Sequence, residues 1–299
     1  MGARRKTVFL KVSLAPRVCG FQSSVAWPAR TAKVQFNVPS TARCKLSSQV
    51  ESAQQGQYAA IGYPSRLVGR KQVAEGTMAF QFERPRNFLF KAGQFVDLAP
   101  LGARPDGSDG LTHAFSIASS PFAEEIVVAT RMRDTAFKRA LSMLAIGAEV
   151  RIKGPMGSFT LHNNVSRPAV FLAGGIGITP FLSMLSYAAM NKLHPPISLF
   201  YANRYLEDAA FMDTLRELES STGNFRFVPT FTRVDNTYGG WKGETGHISS
   251  EMLSKHGFNL QGSICYVAGP PTMVSAARLA LNEAGVDEDD IRTEEFAGY

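Results

Sequence analysis

Large apolar residues alternate with small or polar residues in short segments of the first half of the chain. In the segment TMAFQFE, Met78, Phe80 and Phe82 occupy every second position, which is the period of a strand with one buried face. Similar runs follow, separated by Gly, Pro, Asp and Ser: QFVDLA, HAFSIAS, EIVVATRM and AEVRIKG. Several short strands at close spacing predict an antiparallel β-barrel or sandwich over about residues 63–164.

From Pro168 onward, short apolar segments alternate with longer segments of helical character. The predicted strands are 170–173, 199–202, 225–231, 264–268 and 291–293. The segments between them, such as PFLSMLSYAAM and PTMVSAARLALNEAG, predict helices. This alternation predicts βαβ units and a doubly wound α/β domain with a parallel sheet. The chain is thus predicted to have a disordered arm over 1–60, a β domain over 61–165 and an α/β domain over 166–299.

Three glycines interrupt the apolar stretch FLAGGIGITPFLSML. Gly174, Gly175 and Gly177 follow the first strand of the α/β half, and Thr179 and Pro180 suit the N-cap and the first position of a helix. Glycines let a ligand approach the backbone, and a helix N-terminus favours phosphate. The stretch lacks the full G-x-G-x-x-G and Walker A patterns. Its place at the first βα turn favours dinucleotide binding over a purely structural turn.

The positive charge of the chain is concentrated at its N-terminus. The formal charge is +7, but the first 50 residues contain nine Lys and Arg and no Asp or Glu. Such an arm fits an organelle transit peptide, a flexible tail or an upstream extension. An arm that binds nucleic acid or anionic membrane is a disfavoured alternative. We expect a cytoplasmic protein, or an organelle-matrix protein if the arm is a transit peptide.

Several other chemistries find no support in the sequence. The three cysteines, Cys19, Cys44 and Cys265, form no disulfide framework, CxxC motif or iron–sulfur spacing, so a reduced intracellular setting is expected. Residues 168–190 are uncharged and long enough to cross a bilayer. Their glycines and prolines favour a buried strand, turn and helix instead. G-x-S-x-G and HExxH are missing from the sequence, and no metal site is predicted.

Five motifs occur in a fixed order after the start of the β domain: HAFSIASSP, GPMGSF, AGGIGITP, AGPPTMV and EEFAGY. Together they resemble the ferredoxin–NADP reductase family of flavoproteins over about residues 63–299. The resemblance implies a barrel that binds FAD, with FMN less favoured, and an α/β domain that binds NADPH or NADH. It implies hydride transfer to FAD and electron release to a separate ferredoxin, flavodoxin or oxygenase component.

The resemblance assigns flavin contacts to the barrel. Phe115 would flank the isoalloxazine ring and Ser116 would approach its N5, while an inward barrel position is the alternative for Phe115. His113 replaces the family's arginine, so Arg131 and Arg133 are expected to take over the flavin phosphate, unless they lie on a solvated strand face. The remaining expected flavin contacts are Thr130, Thr135, Gly154 and Gly157.

The α/β half is expected to hold the coenzyme. Gly174, Gly175, Gly177 and Thr179 would bind its pyrophosphate. Asn203 and Arg204, after the second strand, could accommodate a 2′-phosphate and favour NADPH. Gly269 and Pro270 would shape the nicotinamide pocket. Ala268 stands where family members often have Cys, and Cys265, three residues earlier, belongs to the opposite strand face.

The C-terminal motif supplies the last candidates. Tyr299 is expected to cover the flavin, with Phe296 as second choice, and Glu294 or Glu295 to contact the nicotinamide or the proton path. We expect Ser116, Glu295 and Tyr299 to be catalytic in a monomeric enzyme. Because His113 and Ala268 depart from the family, a non-catalytic flavin-binding electron-transfer or regulatory subunit is the alternative.

Overall fold

The computed structural model describes residues 62–104, 110–191, 194–234, 241–256 and 258–296. The predicted arm over residues 1–60 lies outside these ranges, and so does Tyr299.

The first half of the described chain forms an antiparallel sheet of six strands in the order β4-β3-β6-β1-β2-β5. The strands are β1 (Tyr63–Ala74), β2 (Thr77–Glu83), β3 (Phe95–Pro100), β4 (His113–Ser116), β5 (Glu125–Arg131) and β6 (Glu149–Met156). A helix, α1 (Ala136–Met143), lies between β5 and β6 and buries Phe137 in the sheet's core. Phe80 and Phe82 are fully buried in the same core. The antiparallel, barrel-like β domain predicted from the alternation is therefore confirmed.

The second half forms a parallel sheet of six strands in the order β10-β9-β8-β7-β11-β12. Its strands are β7 (Ala169–Gly174), β8 (Ile197–Asn203), β9 (Phe225–Phe231), β10 (Glu244–Thr245), β11 (Ile264–Gly269) and β12 (Ile291–Glu295). Its helices are α2 (Ile178–Met190), α3 (Met212–Ser221), α4 (Ser250–Lys255) and α5 (Pro271–Glu283). Every residue of β7 and β11 is buried, because helices cover both faces of a parallel sheet. The predicted α/β class is confirmed.

The chain reverses its direction across the parallel sheet at β7. It proceeds outward from β7 through β8 to β10 and then returns to add β11 on the other side of β7. Ligands of doubly wound proteins bind at the carboxyl ends of the strands at such a switch point. Here these ends are Gly174 and Gly269, so close that a Cβ on Gly269 would lie 3.2 Å from the backbone of Gly174.

Hydrogen bonds join the two sheets at separate places. The Ser183 hydroxyl of α2 donates to the Ser119 carbonyl at 2.6 Å. The backbone N–H of Glu75, in the β1–β2 turn, donates to the Glu207 carbonyl at 2.8 Å. These contacts place the ends of β1, β2 and β5 next to the carboxyl edge of the parallel sheet.

A buried tyrosine connects the segment after the barrel to β11 and β12. The Tyr266 hydroxyl accepts hydrogen bonds from the His162 backbone N–H at 2.9 Å and from Arg292 at 3.1 Å. Its proton goes to His162 Nδ1, 2.9 Å away, because His162 Nε2–H donates to the Arg167 carbonyl at 2.9 Å. Burial lowers the pKa of His162, which keeps this imidazole neutral. The network fixes β12, the strand that carries the C-terminal candidates.

Within the described ranges, no helix combines the length and the apolarity needed to cross a membrane. Residues 168–190, which are long enough in sequence, divide into β7, a glycine turn and α2. The prediction of a buried strand, turn and helix is confirmed.

Candidate active site

The glycine turn between β7 and α2 has one open side and one crowded side. Gly175 has φ +55°, and a Cβ there would meet no atom within 4 Å. A Cβ on Gly177, by contrast, would lie 2.3 Å from the Ala268 carbonyl oxygen on β11. The turn therefore needs glycine at Gly175 for its backbone conformation and at Gly177 for its close packing on the neighbouring strand.

Helix α2 begins earlier than the sequence predicts. It starts at Ile178 after a 3-10 turn, with Gly177 as the N-cap and no capping side chain. Thr179 lies inside the helix, buried, and its hydroxyl donates to the Ile176 carbonyl at 3.0 Å. The prediction that Thr179 caps the helix is wrong, because the 3-10 turn over Gly175–Gly177 advances the helix start. The N-terminus of α2 has no side-chain oxygen that would compete with a phosphate for its N–H groups.

A cavity of about 340 Å³ opens at the carboxyl edge of the parallel sheet. It brings together seven residues of the α/β half that were expected at the coenzyme or flavin: Gly174, Gly175, Gly177, Asn203, Arg204, Pro270 and Phe296. Asn203 is buried, and its amide nitrogen Nδ2 finds no hydrogen-bond partner among the described residues. Gly269 packs directly behind Gly174. The cavity thus offers an open glycine backbone, a buried amide donor and a cation.

Two arginines from the barrel line the same cavity. Arg131, at the end of β5, and Arg133 lie opposite the glycine turn, and Arg131 forms an ion pair with Asp208. Both arginines line this cavity because the end of β5 meets the 3-10 turn Leu206–Asp208. That they bind the flavin phosphate stays a prediction. The local sequence gave no signal for this long-range contact.

A buried serine and a half-buried carboxylate lie close together at the end of β4. Ser116 is 4% exposed, and both its Oγ and Glu294 Oε2 lack a hydrogen-bond partner among the described residues. Burial raises the pKa of Glu294 to about 7, and the nearby Ser116 hydroxyl opposes this rise. Glu295, the predicted catalytic carboxylate, is exposed. Glu294 takes that position because neighbours on a strand point to opposite faces.

The aromatic residue of the HAFS motif belongs to the barrel interior. Phe115 is 6% exposed and stacks on Phe137, with 5.6 Å between the ring centroids. This packing fits the alternative of an inward barrel position, and the flavin-flanking role of Phe115 stays a prediction. The His113 ring also packs on Phe137, at 4.4 Å.

The other barrel candidates have structural roles. Thr135 accepts a hydrogen bond from the Lys138 N–H and caps α1, while Thr130 is buried on β5. Gly154 and Gly157 have φ +144° and +95°, and a Cβ on Gly157 would lie 2.9 Å from the Phe95 ring. The turn after β6 therefore requires glycine for its packing on β3, whatever it binds.

The carboxyl edge also contains residues that the sequence did not single out. They are Thr77, Asp208, Ala210, Thr232, His247, Thr272 and Met273. Thr232 and Thr272 follow the carboxyl ends of β9 and β11, so the rule for parallel sheets could have found them. Asp208 and His247 come from loops with no such signal. As predicted, Cys265 and Ala268 lie on opposite faces of β11, in different core clusters.

The donor groups present fit both expected cofactors. Ser116 Oγ, a buried hydroxyl beside Glu294 that meets no partner of good geometry among the described residues, suits the polar edge of a flavin ring. The buried Asn203 amide on the cavity wall and the open backbone at Gly175 suit the coenzyme. Tyr299 lies outside the described residues, and Phe296 lines the cavity.

Comparison with known proteins points to one family. Residues 171–279 match the family described as the oxidoreductase NAD-binding domain. Ferredoxin–NADP reductase B of Sorangium cellulosum is 30% identical over 245 residues, 78% of this chain and 97% of the relative. The propane 2-monooxygenase reductase component of Gordonia sp. is 28% identical over 71% of this chain, which spans 60% of that relative. A solved ferredoxin NADP+ reductase from Neisseria gonorrhoeae with bound FAD and NADP has a TM-score of 0.65 at 22% identity, over 79% of this chain and 99% of that one.

The matched NAD-binding domain and the ferredoxin–NADP reductase relative, together with this two-domain fold, identify an NAD(P)H oxidoreductase that uses a flavin. The chain belongs to the ferredoxin–NADP reductase family. As a member it uses FAD and NAD(P)H and transfers electrons to a separate acceptor.

Proposed function

We propose that this protein is an NADPH-dependent reductase that delivers electrons to a ferredoxin or flavodoxin, or to an oxygenase component. The observation that carries the coenzyme choice is the wall of the cavity beside β8. Arg204 lines it next to the buried amide of Asn203, and Arg204 forms no ion pair within the described residues. A guanidinium available in this position suits a 2′-phosphate.

The roles of the chain's own residues follow from their places. FAD, when bound, takes a hydride from the coenzyme and releases electrons to the acceptor. Ser116 offers a buried hydroxyl to the flavin ring, and Glu294 holds or accepts a proton beside that hydroxyl. Gly175 and the N-terminus of α2 face the coenzyme's pyrophosphate. Phe296 lines the same cavity and donates its backbone N–H to the Gly269 carbonyl at 3.0 Å.

We expect Arg204→Gln to raise the KM for NADPH about 10- to 100-fold, the range for loss of a charge-assisted hydrogen bond. The KM for NADH should change less than about twofold, because NADH has no 2′-phosphate. The measurement is anaerobic loss of flavin absorbance in the full chain at varied NADPH and NADH. Arg216→Gln, an exposed change on α3, is the matched control. An equal rise for both coenzymes would exclude contact with the 2′-phosphate.

The Glu294 carboxyl, with its pKa raised to about 7, is protonated below that pH and ionised above it. Only the ionised form accepts a proton, so electron delivery to ferricyanide should rise about tenfold from pH 6 to pH 8. In Glu294→Gln this rise should disappear. Glu295→Gln, on the exposed side of β12, should keep it. A profile unchanged by Glu294→Gln would remove Glu294 from the proton path.

The acceptor is proposed from relatives and composition. Relatives include a ferredoxin–NADP reductase and the electron transfer component of the toluate 1,2-dioxygenase of Pseudomonas putida, 27% identical over 79% of this chain. The three cysteines lack iron–sulfur spacing, so a second redox centre in this chain is not proposed. The test compares NADPH-supported reduction of a ferredoxin, a flavodoxin and ferricyanide. Rapid reduction of ferricyanide alone would reject both protein acceptors.

A further inference from the structure

The coenzyme cavity contains an anion that the protein itself supplies. Among its described lining residues, Asp208 is the one carboxylate, beside Arg131, Arg133 and Arg204. The Asp208 side chain is 10% exposed and is paired with Arg131. Asp208 belongs to the 3-10 turn after β8, whereas Arg131 belongs to the barrel. The ion pair therefore spans the cavity from one half of the protein to the other.

The charge balance of this wall points to an anionic ligand. Arg133 and Arg204 form no ion pair within the described residues, so the three arginines exceed the one carboxylate. The Arg131 side chain is 40% exposed and lines the cavity, so its ion pair with Asp208 does not shield it fully from solvent. A guanidinium binds carboxylate and phosphate through the same donors. A phosphate that enters this cavity meets an Arg131 that is already paired with Asp208.

We propose that Asp208 competes with a phosphate of the coenzyme for Arg131, so that coenzyme binding exchanges an internal ion pair for an arginine–phosphate pair. Arg131 is thereby a coenzyme-binding residue supplied by the barrel, and Asp208 limits affinity. The inference rests on coenzyme binding in this cavity, and it holds for both NADPH and NADH if the phosphate belongs to the pyrophosphate. The phosphate is that of the 2′-position or the pyrophosphate, since both carry the same chemistry.

Two neighbouring features make the exchange feasible. Asp208 and Arg204 line the same adjoining cavity. A second cation is therefore near Asp208 when Arg131 binds the phosphate. The adjacent contact from the Glu75 N–H to the Glu207 carbonyl uses backbone atoms only. It holds the barrel hairpin to the turn independently of the ion pair, so the exchange requires no separation of the two halves.

Equilibrium binding to the FAD-containing full chain tests the competition, with 2′,5′-ADP and 5′-ADP as probes. Arg131→Gln should raise Kd about tenfold, as for a lost charged contact. Asp208→Asn should lower Kd about threefold or more, although the same change removes an ion pair and should lower Tm. In the double variant the gain from Asp208→Asn should vanish. Asp213→Asn, an exposed change on α3, is the control.

The results distinguish an Asp208 that competes with the phosphate for Arg131 from an Asp208 that helps Arg131 to bind the phosphate. If Asp208 instead orients Arg131 for the coenzyme, Asp208→Asn should raise Kd, and that result would overturn the proposal. An unchanged Kd would also overturn it. So would a fall in Kd from Asp208→Asn that persists in the double variant with Arg131→Gln. A gain with 2′,5′-ADP alone assigns the exchange to the 2′-phosphate, and a gain with both probes assigns it to the pyrophosphate. Either supports the competition. Asp208→Ser provides a second uncharged variant if Asp208→Asn loses its flavin spectrum.

Discussion

Ser116→Ala should lower the rate constant for flavin reduction by the coenzyme about 10- to 100-fold. The change removes a buried hydroxyl that meets no hydrogen-bond partner of good geometry among the described residues and that we propose to bond the flavin ring. A hydrogen bond in such a site contributes about 1.5–3 kcal/mol when its partner gains charge, and about 1.4 kcal/mol is a tenfold change in rate. Stopped-flow absorbance under anaerobic conditions measures the rate directly.

Ser120→Ala is the matched control for this prediction. Ser120 lies in the same motif and is 6% exposed, close to the 4% of Ser116, but its hydroxyl contacts the Met190 sulfur instead. We expect a change of less than about threefold in the control. Equal losses in both variants would mean that the motif has merely loosened. The proposed role of Ser116 would then be rejected.

Gly177→Ala should destabilise the protein by about 3 kcal/mol, the upper part of the range for overpacking a rigid site. Its Cβ would lie 2.3 Å from the Ala268 carbonyl oxygen and 2.8 Å from the Gly269 Cα, both backbone atoms of a buried strand. The relief is a shift of the glycine turn away from β11. Tm should fall by about 6–12 °C, and the Kd for the coenzyme should rise. Calorimetry and equilibrium binding measure the two effects.

The contrasting glycine is Gly223, where a Cβ would meet nothing within 4 Å. Gly223→Ala should leave Tm within about 2 °C of the wild type, within the usual range of surface changes. If Gly177→Ala lowers Tm as little as Gly223→Ala does, the glycine turn is able to move without a loss of stability. The close packing on β11 would then be no requirement of the fold.

The local pattern of apolar and polar residues was sufficient to predict the two-domain architecture. The alternation in TMAFQFE appears as β2 with its phenylalanines buried, and the repeated strand–helix pattern appears as the parallel sheet. The glycine turn was placed at the right βα junction, since glycines between an apolar strand and a helix leave few alternatives. Its helix start was misplaced by two residues because Thr179 fits an N-cap in isolation.

The packing of β12 was needed to decide which of the two adjacent glutamates, Glu294 or Glu295, points inward. A short strand followed by EE gives no indication of which carboxylate points inward. The pairing of β12 on β11 and the Tyr266 network select Glu294 and leave Glu295 exposed. The same holds for Phe115, which the motif alone allowed on either side and which packs on Phe137, 22 positions later.

By itself the sequence determined the two-domain class, the order of its motifs and the glycine turn for a dinucleotide, because each depends on neighbours along the chain. Tertiary structure decided which side chains share the cavity. Arg131 and Arg133 lie at the end of a barrel strand, yet they line the cavity at the carboxyl edge of the parallel sheet because the end of β5 meets the turn Leu206–Asp208. The local sequence pattern determines on which face of a strand a side chain lies. Which other part of the protein packs against that face is determined by long-range contacts.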